Sequence, residues 1–192
     1  MNRWHKNNLK FYNCDLKWIV FDSSNDNFIT KVKGNHLPGR SNDEVKGFIS
    51  NHLHFTNFPL NLGENFKNLG LVRVTNASLT AINKYHLKQF GDTLITLNLS
   101  DNKVEMIEED LFEFTLKLSG INFENNKIRY VEKGAFDKLD RLSTLILLEN
   151  PCITANLSLV ETIKMTEYNC KPSESFTREK LNKMKENLFL EQ

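Results

Sequence analysis

Through the middle of the chain the apolar positions come at a fixed spacing, with one polar marker, and do not form continuous runs. LITLNLSDNKVEMI at 94–107 fits the pattern L-x-x-L-x-L-x-x-N-x-L with Leu94, Leu97, Leu99, Asn102 and Val104. LSGINFENNKIRYV repeats it with Leu118, Ile121, Phe123, Asn126 and Ile128, and LSTLILLENPCI with Leu142, Leu145, Leu147 and Asn150. Read backwards, the register continues in LGLVRVTNASLTAI, which places Leu69, Val72, Val74 and Leu79, with Ala77 where the asparagine would stand. VKGFISNHLHFTNF is a degenerate copy carrying Val45, Phe48, Phe55 and Phe58. The units begin at Val45, Leu69, Leu94, Leu118 and Leu142, an almost constant step. A step that regular over five units marks a repeat array, not a row of independent helices or strands.

Each L-x-L reads as a short strand with alternate side chains inward. The units stack into a parallel sheet because one alone cannot bury its leucines. Five concave strands are predicted near residues 48, 72, 97, 121 and 145. Asn102, Asn126 and Asn150 turn inward as the chain leaves each strand and supply donors and acceptors to buried backbone, forming a ladder. On this basis Asn126→Ala is expected to be costly and Asn125→Ala, in the neighbouring exposed slot, cheap. Return segments such as PLNLGENFKN, EEDLFEFTLK and EKGAFDKLDR bring Phe66, Phe112, Phe114 and Phe136 to the wider convex side.

Over about residues 45–170 these motifs resemble the leucine-rich-repeat superfamily. The resemblance implies an α/β fold: a right-handed solenoid of five repeats with a parallel concave sheet, an N-terminal β-hairpin cap and a helical C-terminal cap. The organisation expected is 1–44 hairpin cap, 45–150 repeats, 151–170 cysteine cap and 171–192 charged helical tail, where Leu181, Met184 and Leu188 fall at helical spacing.

The ends differ from the repeats, as the ends of a solenoid must if its core is to be covered. NPCITANLSLVETIKMTEYNC resembles the C-terminal cysteine cap of extracellular repeat proteins, which implies a Cys152–Cys170 disulfide. Two buried free thiols are the alternative, and the cap has two cysteines where the usual one has four. At the other end Tyr12, Cys14, Leu16, Trp18 and Val20 alternate along one strand, and FITKVKGNHL reads as its return across SSNDN. With PGRSNDEVKGF this region is similar to small secreted insect leucine-rich-repeat proteins, in which a further cysteine stands upstream. Two readings follow for Cys14: a free core thiol on the inner face of the hairpin, or the partner of a cysteine in a missing first segment that also carries a signal peptide.

Composition narrows the function. With 25 Lys and Arg against 24 Asp and Glu, the chain lacks the basic excess of a nucleic-acid or anionic-lipid binder, so no nucleic-acid partner is expected. No apolar run reaches the length of a membrane span, and MNRWHKNNLKF lacks a signal-peptide core. A phosphate-cradling glycine loop and a nucleophile elbow are both absent, and Glu108, Glu109 and Asp110 read as a solvated return segment, so no catalytic site and no cofactor are expected. His52 and His54 share a strand, while His5, His36 and His86 are scattered. None has companions at ligand spacing, so no metal is expected.

Sequons stand at Asn76, Asn98 and Asn156. With 25 Asn and 23 Ser or Thr among 192 residues their number is what chance gives. Asn76 and Asn156 fall near a turn and the cap and are the candidate glycosylation sites, whereas Asn98 lies between core leucines.

What remains is the concave face. Its central slot holds Ile49, Arg73, Asn98, Asn122 and Ile146, and the flanking slots hold Leu71, Thr96, Thr144, Thr75, Ser100, Glu124 and Leu148. A polar middle with apolar flanks suits a protein ligand, with a glycoconjugate as a variant. The expected function is an extracellular protein-binding module, as in innate-immune, adhesion or receptor proteins of the superfamily, secreted if a signal segment is missing from this chain. The rival is an intracellular regulatory or inhibitor subunit using the same face.

Overall fold

A computed structural model describes residues 13–15, 18–22, 25–33, 41–51 and 57–171. Its principal sheet contains the strands β1 (Asn13–Asp15), β4 (Gly47–Asn51), β5 (Leu71–Thr75), β6 (Thr96–Asn98), β8 (Gly120–Asn122) and β10 (Thr144–Ile146), all parallel and paired in chain order. Five of these fall where the repeat spacing places them. The sixth, β1, extends the sheet beyond the first predicted unit.

Register makes the repeat visible as rows across the sheet. Cys14, Phe48, Val72, Leu97, Ile121 and Leu145 occupy one row, and from Phe48 onward every member is buried. The row two positions further on begins with Ser50, opposite Val74. Ser50 is buried where an apolar side chain would pack, and its hydroxyl lacks a partner among the described residues. This is the physical content of the degeneracy of the first unit.

The N-terminal region meets expectation in part: the hairpin forms, but the alternating positions Cys14 and Trp18 fall on two strands with different partners. Asn13–Asp15 pairs in parallel with Gly47–Ile49, whereas β2 (Trp18–Asp22) pairs antiparallel with β3 (Asn25–Lys33). Cys14 therefore holds a position in the core row of the main sheet, not on the hairpin. Alternation with period two reports a strand's faces but not its partner, so two consecutive strands with different partners look like one. The interval from Asn13 to Gly47 is longer than the one from Gly47 to Leu71, and the hairpin occupies that longer connection.

On the return side, β7 (Met106–Ile107) and β9 (Tyr130–Val131) pair in parallel, and the short helices α1 (Leu62–Asn65) and α2 (Lys84–Lys88) occupy earlier connections. Phe66, Phe112 and Phe136 are buried as predicted, the last two stacked with centroids 5.9 Å apart. Phe114 is only half-buried and lies under the Lys88 ammonium, 5.4 Å from its ring centroid. The last repeat is followed by α3 (Leu159–Asn169), started by a capping box between Ser158 and Glu161. The Glu161 carboxyl is held below its usual pKa by the hydrogen bonds from Ser158. The tail expected over 171–192 lies outside the described residues from 172 onward.

Candidate binding face and its supports

The asparagines that hold the strands in place meet backbone on both sides. Asn102 Oδ1 accepts from the N–H of Ala77 at 3.2 Å and of Leu79 at 3.1 Å, and its Nδ2 donates to the carbonyls of Val74, Leu99 and Ser100 at 2.8–3.1 Å. Asn126 accepts from Val104 N–H at 3.0 Å and donates to the Leu99 and Phe123 carbonyls at 2.9 and 3.0 Å. Asn150 does the same one unit on, accepting from Ile128 and donating to Phe123 and Leu147. Each side chain thus ties its own repeat to the one before it, and all three are buried.

The residue before each of these three positions, and before Ala77 in the corresponding slot of the earlier repeat, is left-handed. Asn76, Asp101, Asn125 and Glu149 have φ of 53°, 59°, 52° and 60°. Asn and Asp are the non-glycine residues that tolerate that region best, which explains three of the four. Asn125 Nδ2 also donates to Asp101 Oδ1 at 2.9 Å, so this outer slot is not idle.

The concave slots form two rows in register: Asp15, Ile49, Arg73, Asn98, Asn122 and Ile146, and beside it Asn13, Gly47, Leu71, Thr96, Gly120 and Thr144. Ile49, Leu71, Arg73, Thr75, Thr96, Glu124, Ile146 and Leu148 are half-buried and Thr144 is exposed. Asn98, Ser100 and Asn122 are different, at 7%, 8% and 3% exposure. They offer a ligand single atoms and little area. Gly47 and Gly120 belong to the second row, opposite Leu71 and Thr96, and present no side chain there. The repeat step alone would have found them, but a search for side chains passes over glycine.

The remaining candidates serve the fold. Lys84 Nζ pairs with Glu113 at 2.8 Å and Asp110 at 2.9 Å, hydrogen bonds that raise its pKa and keep it charged. His86 is buried beside Phe58, its Nδ1 accepts the Asn83 N–H at 3.0 Å, and burial pushes its pKa down to about 4. It is a neutral capping residue of α2. His52 and His54 lie outside the described residues, among which no three His, Cys, Asp or Glu side chains gather. No helix among the described residues is long and apolar enough to cross a membrane. Asn76 and Asn156 are exposed, while the Asn98 sequon is buried. Cys152 and Cys170 form a disulfide with α-carbons 5.0 Å apart, joining the turn after the last strand to the end of α3.

Residues 92–151 match the family model described as leucine rich repeat. No curated protein matches the chain by sequence. Among solved structures, the complex of TLR13 with ssRNA13 matches over 58% of this chain with TM-score 0.53 and 24% identity. The Toll–Spatzle complex of Drosophila matches over 57% with TM-score 0.52 and 16% identity. The aligned part spans 15% and 14% of those two chains. These likenesses establish the fold as a leucine-rich-repeat solenoid. One of the two is a complex with RNA, so the fold gives no ground for excluding nucleic acid, and the sequence expectation on that point draws no support from it.

Proposed function

We propose that this solenoid is an extracellular binding module that takes a protein ligand on its concave face. The observation that carries the reading is the concave row in which Arg73 has no hydrogen bond or ion pair among the described residues, with half-buried Ile49 and Leu71 beside it and half-buried Ile146 and Leu148 three strands further on. The fold uses none of these side chains for its core, and a central cation with apolar shoulders is the composition of a protein-binding patch. One cation in that row is few for phosphate backbone contacts, which favours protein over nucleic acid. The cap disulfide supports an oxidising compartment, because glutathione keeps cytosolic thiols reduced. The Toll–Spatzle complex, a complex between two proteins, is in keeping with the reading but does not carry it. Innate immunity, adhesion and receptor signalling are the settings it suits.

The test is comparative capture from extracellular fluid. A partner retained by the wild-type chain and by the convex variant Tyr85→Asp/Leu116→Asp, but lost by the concave variant Thr96→Arg/Ile146→Asp, supports the proposal. Equal retention by all three contradicts it, and a reduced Cys152–Cys170 pair in protein from its native compartment would put the intracellular regulator first.

A further inference from the structure

Two amides on the concave face are held rigidly by the fold yet keep their donors open. Asn98 Oδ1 accepts the N–H of Ser100 at 2.9 Å, and Asn122 Oδ1 accepts that of Glu124 at 2.7 Å. Only the oxygen end of an amide can accept from an N–H, so these bonds decide which end faces outward. Neither Nδ2 has a hydrogen-bond partner among the described residues. Neither is sealed from solvent, since the Ser50 hydroxyl is the one sealed side-chain atom there without a partner. Both residues are more than nine-tenths buried. An immobilised amide with an open N–H₂ group gives a ligand acceptor its bond with little further loss of rotamer freedom.

Register places a third donor beside them. Arg73 pairs with Asn98 and Asn98 with Asn122, so a guanidinium and two amides stand on consecutive strands about 4.8 Å apart. Ile49 stands beside Arg73 on one side of the three, and Ile146 beside Asn122 on the other. Three neighbouring donors, one of them charged, call for acceptors, and a carboxylate is the protein group that best meets a guanidinium. An anionic residue, Glu124, lies two positions beyond Asn122 on the same chain segment. Glu124 disfavours negative charge at the Asn122 end, which puts the acid at Arg73 and Asn98 and leaves Asn122 for a neutral carbonyl.

We propose that the row recognises an extended protein segment whose acidic side chain sits on Arg73 and Asn98, with a backbone carbonyl on Asn122 and apolar side chains on Ile49 and Ile146. From β4 to β10 the row measures about 19 Å, the length of about six extended residues. The proposal rests on the concave-face reading and adds the chemistry of the ligand to it.

The probe is an acetylated, amidated hexapeptide with a central glutamate and a leucine at each end, together with its glutamine counterpart, titrated into the isotope-labelled full chain. The side-chain amide resonances of Asn98 and Asn122 shift with the glutamate peptide, and the glutamine peptide binds at least tenfold more weakly. Asn98→Asp and Asn122→Asp keep the oxygen that holds Ser100 and Glu124 but place a negative oxygen where the donor was. Each weakens the glutamate peptide at least tenfold while the backbone spectrum elsewhere is unchanged. Arg73→Gln gives the same loss and serves if either Asp variant does not fold.

Equal affinity for the two peptides, no binding at millimolar peptide, or Asp variants that bind as well as wild type would each overturn the proposal. If Thr96→Arg/Ile146→Asp loses a captured partner that Asn98→Asp and Asn122→Asp retain, the acid seat fails and the concave-face reading stands. If Thr96→Arg/Ile146→Asp retains it as well, the reading itself fails.

Discussion

The side-chain oxygen of Asn126 accepts the backbone N–H of Val104, 22 residues earlier, at 3.0 Å. That bond, with those that Asn126 Nδ2 makes to the Leu99 carbonyl of the preceding repeat and to the Phe123 and Glu124 carbonyls of its own, satisfies backbone groups that no strand pairing reaches. Asn126→Ala should therefore lower stability by about 1–3 kcal/mol in chemical denaturation. Asn125→Ala, which the repeat pattern makes cheap, should cost about 1 kcal/mol, because it places alanine at φ 52° and removes the bond to Asp101. Asn125→Gly should recover most of that loss, which separates the backbone contribution from the hydrogen bond.

Gly63 tests how closely α1 is set against α2. Its N–H donates to Gln89 Oε1 at 3.2 Å, and a Cβ at this position would overlap the Gln89 backbone carbonyl. Backbone cannot swing aside as a side chain can, so Gly63→Ala should destabilise by about 1–3 kcal/mol through overpacking. A change below about 0.5 kcal/mol in urea denaturation, the range of an ordinary surface substitution, would mean that the two connections are not in contact in solution.

The repeat register was legible because Leu97, Ile121 and Leu145 recur at a step that only stacking explains, and Asn102, Asn126 and Asn150 mark where each strand ends. The concave slots followed from that register, but their state did not. Whether Asn98 and Asn122 lie open or tucked down depends on hydrogen bonds to the N–H groups of Ser100 and Glu124, which residue type alone does not announce. The pairing of Asn13–Asp15 is hidden in the sequence for a related reason, because Phe48, the parallel partner of Cys14, lies farther along the chain than the common step reaches.

Stability should also depend on pH through His86. Its folded pKa of about 4 lies below the ordinary 6.5, so the unfolded chain binds the proton more tightly. The native state therefore has its full advantage above pH 6.5 and loses it as the pH falls towards 4, by about 3 kcal/mol across that window. Protonation would also turn Nδ1 from an acceptor into a donor and break the bond from Asn83. His86→Gln should flatten the pH 4–7 stability profile relative to wild type, and a parallel profile would remove His86 as the cause.

The Cys152–Cys170 bond closes a loop with a sequence separation of 18, and Cys170 is buried against the last repeat. Reduction, or Cys152→Ala with Cys170→Ala, should cost about 3 kcal/mol. Native-state hydrogen exchange should place the loss at α3 and β9, because Val131 N–H donates to the Cys170 carbonyl at 3.0 Å. Uniform loss along the whole solenoid would mean that the cap is not a separate cooperative unit.

The most direct test of concave-face binding is hydroxyl-radical footprinting of the full chain with and without a captured protein partner. Ile49, Leu71, Ile146 and Leu148 are half-buried on the concave side, whereas Tyr85, Leu116, Val160 and Tyr168 are exposed elsewhere, so the two sets report on different surfaces of one molecule. The account predicts that the partner protects the first set several-fold and leaves the second unchanged. Protection confined to Tyr85, Leu116, Val160 or Tyr168, with the concave residues oxidised as in the free chain, would contradict it.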